Sequence, residues 1–216
     1  EDHVLDAYIF CLSEHSSDNY DGLLSMWRGY GGNGNGAALV FDTSKLQNRN
    51  DSPFILAKVV YATKEQRLSW INERIQQFCE ILKSVSVRDD MLWFPAYTFF
   101  ERLKLFALFS KHQGFHEERE WRVVYMKERD RDNRLKDCLS YAVTSIGIVP
   151  KLRFKIEPIE GLTAPDFSFS KFIERIILGP SISSPIAGGS FKRMLSALGQ
   201  SELAPSVFAS TIPFRP

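Results

Sequence analysis

The chain has 216 residues, of which 44% are hydrophobic and 25% are charged, and both fractions are ordinary for a globular protein of one domain. The formal net charge is +1, so the bulk charge indicates neither a nucleic-acid-binding protein nor a protein of anionic membrane surfaces. No apolar run approaches the roughly 20 residues of a membrane-spanning helix, so no such helix is predicted.

The cysteines and the N-terminus bear on the cellular location. Cys11, Cys79 and Cys138 are widely spaced, and each lies in or beside an apolar stretch. This pattern predicts buried free thiols in a reducing compartment. The N-terminus is acidic and lacks a signal-peptide pattern, so the predicted location is the cytoplasm. Because the chain does not begin with Met and runs directly into a strand pattern, we also expect that an N-terminal segment is missing.

Short apolar runs in the first part of the chain predict strands on either side of a glycine-rich loop. Residues 5–12 form a run rich in β-forming residues, and residues 37–41 and 54–61 form two more. A short helix is predicted at residues 23–30, and the glycine-rich loop of residues 29–36 closes it.

The middle of the chain has the clearest helical periodicity. In residues 63–85, Thr63 and Gln66 match a capping box, and apolar residues recur every three or four positions. A second helix at residues 97–110 is apolar almost all round, so it is predicted to be central. Together the two helices predict a helical insertion over about residues 63–111.

The second half of the chain opens with a strongly charged region. A strand is predicted at residues 119–126. Residues 127–137 then hold five basic and four acidic residues and only Leu135 as an apolar residue, which predicts a solvated, mobile loop. The remaining predicted elements are strands at residues 139–149, 153–159, 172–178 and 207–212 and a helix at residues 190–198.

The order of these elements indicates the fold class. Strands and helices are mixed without the regular alternation of a doubly wound fold. We therefore predict one α+β domain over residues 1–216, with a largely antiparallel core sheet and the helical insertion. The strands at residues 5–12, 37–41, 54–61 and 119–126 are expected in one sheet assembly.

The loop at residues 29–36 invites comparison with phosphate-binding loops. It has no Gly-Lys-Ser/Thr ending and leads into a strand rather than a helix, so a flexible connection is the plain alternative. Trp27, Arg28 and Tyr30 stand at its start. Two aromatic rings and a guanidinium beside a glycine-rich backbone can stack a flat ring and hold an anion.

A metal site was considered at His112, His116 and Glu118. These residue types are metal ligands, but the spacing suits a helix only if that helix continues through Gly114. The zinc-protease pattern is also absent, so no metal site is predicted.

The segment HEEREWR at residues 116–122 is the most unusual part of the sequence. With the period of a strand, Glu118, Glu120 and Arg122 share one face. Carboxylates two residues apart perturb each other's ionisation and can share a polyol ligand. The alternative is a salt-bridged edge strand, although surface ion pairs stabilise a protein little.

Three blocks of this sequence, in this order, form a recognisable pattern. The first is FCLSE at residues 10–14 with MWRGYG at residues 26–31. The second is KHQGF at residues 111–115 with EREWR at residues 118–122, and the third is IILGP at residues 176–180 with STIPFR at residues 210–215. The pattern resembles the bacterial family known as domain of unknown function 2971. That family is distantly similar to ADP-ribosyltransferases, which cleave the glycosidic bond of NAD.

The resemblance implies an ADP-ribosyltransferase-like fold and an NAD-consuming enzyme, of a kind that serves as a bacterial defence or toxin component. It implies that Glu120 or Glu118 binds the ribose hydroxyls and faces the positive charge that develops as nicotinamide leaves. Tyr30 or Trp27 would stack on nicotinamide, and Arg28 would clamp the diphosphate. Further nucleotide contacts would come from Ser13 and Arg122.

The family's usual N-terminal block, which would supply the first catalytic position, has no match here. Two other functions therefore stay open: a non-catalytic module that senses a nucleotide or a nucleic-acid end, and a structural or regulatory protein without a ligand. In the enzyme, Trp27, Arg28 or Tyr30 should lie across a concave surface from Glu118 or Glu120. At least one of these glutamates should be buried and hydrogen-bonded.

Overall fold

The computed structural model describes residues 7–45, 52–153, 155–160 and 163–215. The described chain forms two compact units. The first takes the residues up to Tyr8, His15–Pro53 and the chain from Met126 onward, and the second takes Ile9–Glu14 and Phe54–Tyr125. The predicted start of the first strand, at residues 5–6, lies outside the described residues.

Short strands and helices follow one another without regular alternation, which confirms the α+β fold class. The strands are β1 (Ala7–Ser13), β2 (Ala37–Phe41), β3 (Phe54–Lys58), β4 (Val60–Ala62), β5 (Ser110–His112), β6 (Glu120–Met126), β7 (Leu139–Thr144), β8 (Gly147–Leu152), β9 (Ile173–Leu178) and β10 (Val207–Ala209). The α-helices are α1 (Leu24–Gly29), α2 (Lys64–Ser84), α3 (Trp93–Leu108), α4 (Phe169–Phe172) and α5 (Pro185–Ala197). In the described part of the chain, none of the helices combines the length and apolar character that crossing a membrane requires.

The core of the first unit lies around β9. This strand is central in a three-stranded sheet, with β2 antiparallel on one side and β10 parallel on the other. Its apolar residues Ile176, Ile177 and Leu178 are all buried, as expected for a continuous apolar strand that is covered on both faces. Leu195 of α5 and Leu203 complete the buried cluster.

The charged stretch after β6 does not behave as a solvated loop throughout, so that prediction is wrong at its centre. Asp130 is 2% exposed and Leu135 is 1% exposed. The Asp130 carboxylate accepts hydrogen bonds from the backbone N–H groups of Arg134 and Leu135. A short acidic side chain that satisfies the donors of its own turn can be buried at little cost, and composition alone does not reveal this.

The β7–β8 hairpin corrects two predicted strand boundaries. Its strands pair antiparallel from Leu139 opposite Leu152 to Thr144 opposite Gly147. The turn falls inside the predicted strand at residues 139–149, where Gly147 adopts a φ of 112° that favours glycine. Residues 153 and 155–159, predicted as the next strand, are not in a strand.

The second unit contains a three-stranded sheet in the order β1-β6-β3. β6 is its central strand, so the edge-strand alternative for this charged segment is wrong. β2 was expected in the same sheet, but it pairs with β9 instead. The sequence of a five-residue apolar strand encodes its burial but does not encode its distant partner, which explains this error.

The helical region contains one confirmed prediction and one error. Thr63 and Gln66 form the predicted capping box at the start of α2, with the Gln66 backbone N–H donating to Thr63 Oγ1 over 3.2 Å. Stacked rings pack α2 on α3, since Trp70 lies on Phe106 and Phe78 lies on Phe99. However, no described residue of α3 is buried, so its predicted central position is wrong.

Candidate functional site

Four charged side chains of the second unit form a compact group, called here the Glu120 cluster: Lys111, Glu118, Glu120 and Arg122. The ammonium of Lys111 lies 2.5 Å from Glu118 Oε2 and 3.0 Å from Glu120 Oε2. Arg122 donates from Nε to Glu120 Oε1 over 2.7 Å. The two carboxylates are therefore neighbours, as predicted, but a single lysine bridges them.

The backbone between the two glutamates brings them together. Glu118 ends a short 3-10 helix, Gln113–Glu118, rather than opening the strand as predicted, and β6 begins at Glu120. Arg119 stands between them with a φ of 43°, in the left-handed region that non-glycine residues rarely adopt. This turn, rather than the two-residue period of a strand, directs both carboxylates toward Lys111.

Neighbouring strands fix this turn through hydrogen bonds. The Ser13 hydroxyl donates to the backbone carbonyl of Glu118 over 2.7 Å, and the Glu14 backbone N–H donates to the carbonyl of Arg119. The backbone N–H of Glu120 donates to the Tyr61 hydroxyl over 2.7 Å. Ser13, predicted as a nucleotide contact, thus supports the turn that positions Glu118.

Glu120 is 4% exposed, so the prediction that one glutamate is buried and hydrogen-bonded is confirmed. Burial alone would raise its pKa, but hydrogen bonds from Arg122, Cys11 and Lys111 outweigh burial and lower the pKa to about 2. The carboxylate is therefore ionised at neutral pH and carries no proton that a general acid could donate.

The two cations of the Glu120 cluster, Lys111 and Arg122, stay protonated because their hydrogen bonds to carboxylates outweigh burial. Burial disfavours the ammonium of Lys111, but hydrogen bonds to Glu118 and Glu120 raise its pKa above the usual value. The hydrogen bond to Glu120 likewise raises the pKa of Arg122, and Arg122 also donates to the backbone carbonyl of Leu108. Two negative and two positive charges balance within the Glu120 cluster.

Cys11 borders the cluster and was missed as a candidate site residue. Cys11 is exposed as a residue, but partial desolvation of its thiol and the hydrogen bond with Glu120 raise the pKa of that thiol to about 11, so it is not a thiolate at neutral pH. The cysteines are free, but Cys11 and Cys79 are exposed, which corrects the prediction that they are buried. Lys111 was also missed as a site residue, although it opens the second sequence block.

The aromatic residues before the glycine loop have different environments in the first unit. Trp27 is 4% exposed, and its Nε1 donates to the backbone carbonyl of Asp21 over 2.8 Å. A Cβ on Gly31 would lie 2.7 Å from the Trp27 ring. Glycine at this position therefore allows the backbone to pass close to the indole. Tyr30 is 68% exposed and Arg28 is also exposed. Of the two rings, Tyr30 is the one that a ligand can reach.

The glycine loop is closely packed, so the flexible-connection alternative is wrong. The Gly179 backbone N–H donates to Gly36, and the Ser181 backbone N–H donates to Gly34. A Cβ on Gly179 would lie 2.2 Å from the carbonyl oxygen of Gly34. Glycines are needed here because two backbones approach closely, and this arrangement does not require a bound phosphate.

The two predicted halves of the site belong to different compact units. Trp27, Arg28 and Tyr30 lie in the first unit, whereas Glu118 and Glu120 lie in the second. That they line one concave surface stays a prediction.

The histidines considered for a metal make local contacts instead. His112 Nδ1 accepts a hydrogen bond from the Gly114 backbone N–H, and His116 Nδ1 lies 3.1 Å from the carbonyl of Gln113. Among the residues that the structure describes, no group of three or more His, Cys, Asp or Glu side chains is arranged to hold a metal ion.

Comparison with known proteins supports the resemblance seen in the sequence. A family model described as "Protein of unknown function (DUF2971)" matches residues 26–123. The match covers the Trp27–Tyr30 segment and the whole Glu120 cluster, and it confirms the resemblance to that family over this part of the chain. No curated protein and no solved structure matches the chain significantly.

Proposed function

We propose that this chain, whose residues 26–123 match the domain of unknown function 2971 family, is an ADP-ribosyltransferase-like enzyme that uses NAD. The observation that supports this most directly is a buried carboxylate, Glu120, that is ionised at neutral pH and lies beside a second carboxylate at Glu118. The proposed role of the protein is that of a bacterial defence or toxin component, located in the cytoplasm.

The proposed reaction needs a fixed negative charge. The bond between the ribose and the nicotinamide nitrogen breaks, nicotinamide leaves as a neutral base with the bonding electrons, and the ribose becomes oxocarbenium-like. A carboxylate that stays ionised stabilises this positive charge and accepts hydrogen bonds from ribose hydroxyls. The side chains of Lys111 and Glu118 are 20% and 17% exposed, so the ligand would approach Glu120 from their side. A nucleophile on a protein or nucleic acid, the acceptor, then bonds to the ribose carbon and loses its proton to solvent.

The other predicted residues have roles that fit their exposure. The exposed ring of Tyr30 would stack on the flat base, and the exposed guanidinium of Arg28 would bind the diphosphate. Trp27 is buried against Gly22 and Gly31, so it would be a packing residue rather than a ligand contact.

The second candidate function is a non-catalytic module that binds a nucleotide or a nucleic-acid end. It is favoured by the charge balance of the Glu120 cluster. Arg122 and Lys111 both bind the Glu120 carboxylate, and their positive charges reduce the stabilisation that this carboxylate can give to an oxocarbenium. A module of this kind would bind NAD or a related nucleotide without consuming it.

NAD turnover by the full-length protein tests the enzyme. Glu120→Gln keeps the size of the side chain but removes the charge, so NAD consumption should fall by roughly two orders of magnitude. Glu118→Gln should lower it less, because Glu118 is the more exposed of the two carboxylates. Turnover is measured by release of nicotinamide, at a temperature where circular dichroism shows that each variant is folded.

Glu117→Gln is the matched control, since Glu117 is exposed and is adjacent to Glu118 in the sequence. It should retain full turnover. Equal turnover by the wild type and Glu120→Gln would remove the catalytic role of Glu120. No turnover by either protein, together with NAD binding that Arg28→Ala weakens, would establish the binding module instead.

A further inference from the structure

The helix α3 has two apolar faces, and among the described residues one of them packs on α2 while the other is largely exposed. Phe99 and Phe106 stack on Phe78 and Trp70 of α2, with ring centroids 4.5 and 3.9 Å apart. Trp93, Tyr97 and Phe100 follow the helical period on a second face. They are 62%, 50% and 45% exposed, values that are unusual for three large rings on one helix.

The neighbouring helix extends this exposed face. Leu68 and Ile75 lie two turns apart on α2 and are 50% and 42% exposed. The two ring stacks show that the helices are antiparallel and fix which faces meet. With 3.6 residues per turn, Leu68 and Ile75 then lie on the same side of the helix pair as Trp93 and Phe100. We call these four residues and Tyr97 the hairpin face.

The area of the hairpin face matches what a dimer needs. Large side chains offer roughly 200 Å² each, so five that are about half exposed present roughly 500 Å² of apolar surface. A standard interface buries about 800 Å² on each partner, and about 65% of a homodimer interface is apolar, which is again roughly 500 Å².

The charges of the hairpin favour a second copy over nucleic acid or an acidic partner. Between Lys64 and Leu108 there are seven basic and six acidic residues, so neither sign dominates. A surface of balanced charge neither attracts a polyanion nor repels an identical surface. Two copies related by a two-fold axis would each contribute α2 and α3, and four helices with facing apolar stripes form a stable bundle.

We propose that the hairpin face is the contact surface between two copies of this chain, which form a four-helix bundle from α2 and α3 of each copy. The proposal is independent of the NAD-consuming function. It accounts for the stripe of Trp93, Tyr97 and Phe100, which neither the core nor the Glu120 cluster uses.

Sedimentation equilibrium of the purified chain tests the proposal. The wild type should have twice the chain mass of 24.8 kDa. Trp93→Asp and Phe100→Asp each place two charges in a symmetric contact, so the dissociation constant should rise on the order of 100-fold or more. Both variants should keep the helical circular dichroism of the wild type, because Trp93 and Phe100 are about half exposed in the single chain. Tyr97→Arg serves as a further variant if either of them fails to fold.

Ile186→Asp is the control, since Ile186 is 82% exposed on α5 and lies outside the hairpin. It should leave the dimer intact. A stable dimer is expected to have a dissociation constant in about the micromolar range. The proposal would be overturned by a wild type that stays monomeric at a chain concentration about 100-fold above that value. A dimer that persists in both aspartate variants would overturn it too, because another surface would then hold the copies together.

Discussion

Replacing Glu120 by Gln is expected to lower the free energy of unfolding by about 3 kcal/mol at neutral pH. The change leaves the partly buried cations Arg122 and Lys111 with one carboxylate fewer, and among the described residues Lys111 then keeps Glu118 as its anionic partner. The loss is large because Glu120 is buried and has three hydrogen-bonding neighbours.

The pH dependence identifies the cause of this loss. The pKa of Glu120 is about 2 in the folded protein and near the ordinary 4.5 in the unfolded chain. Because the folded value is the lower one, the unfolded state binds the proton more tightly. The contribution of Glu120 is therefore complete above pH 4.5 and disappears as the pH falls toward 2. Urea denaturation at several pH values should show the wild type and Glu120→Gln converging over this window.

Glu14→Gln provides the contrast. Glu14 pairs with Lys58 on the surface, where both side chains are substantially exposed. Solvent screens such pairs, so this variant should unfold almost as the wild type does. A stability difference between the wild type and Glu120→Gln that does not change between pH 7 and pH 2 would mean that the loss comes from packing rather than from charge.

Local sequence signals predicted the elements whose causes are local. The capping box of Thr63 and Gln66 fixes the start of α2 through contacts three residues apart, and the structure contains both of its hydrogen bonds. The unusual density of charge at residues 116–122 likewise identified a segment with a buried, ionised glutamate. The cause of the capping box lies within three residues, whereas Glu120 combines a local partner, Arg122, with the more distant Lys111 and Cys11.

Predictions failed where the cause is a distant partner. The pairing of β2 with β9 joins residues about 135 positions apart, and an apolar run such as AALVF contains no information about which strand it will meet. The same reason explains the glycine loop. Gly34 has a φ of 77°, and a Cβ there would meet the Ser181 side chain and Phe214, two distant neighbours that the loop sequence alone cannot show.

Composition also misjudged two environments. The apolar character of α3 predicted a central helix, but none of its described residues is buried. An apolar helix face favours packing against another surface, but the sequence does not show whether that surface belongs to the same chain. The charge of residues 127–137 predicted a solvated loop, but Asp130 binds the backbone N–H groups of its own turn and is buried. In both cases the burial of a side chain depends more on the groups that it contacts than on its residue type.

Trp27 is buried and Tyr30 is exposed, so replacing each of them is expected to change the free energy of unfolding by very different amounts. Trp27→Ala should lower the free energy of unfolding by about 3–5 kcal/mol, because it removes a buried ring and leaves a cavity beneath Gly22 and Gly31. It also removes the hydrogen bond to the carbonyl of Asp21. Tyr30→Ala should change the stability by only about 0.5 kcal/mol, since its ring is 68% exposed.

Nucleotide binding should show the opposite order. Tyr30→Ala should weaken NAD binding, measured by isothermal titration calorimetry, because the proposed stacking partner of the base is lost. Trp27→Ala should bind with nearly the wild-type affinity at temperatures where it is still folded, since the indole packs against the protein's own backbone. Chemical denaturation followed by circular dichroism supplies the stability of both variants. A Trp27→Ala protein of unchanged stability that fails to bind NAD would make Trp27 a ligand contact and would refute its assignment as a packing residue.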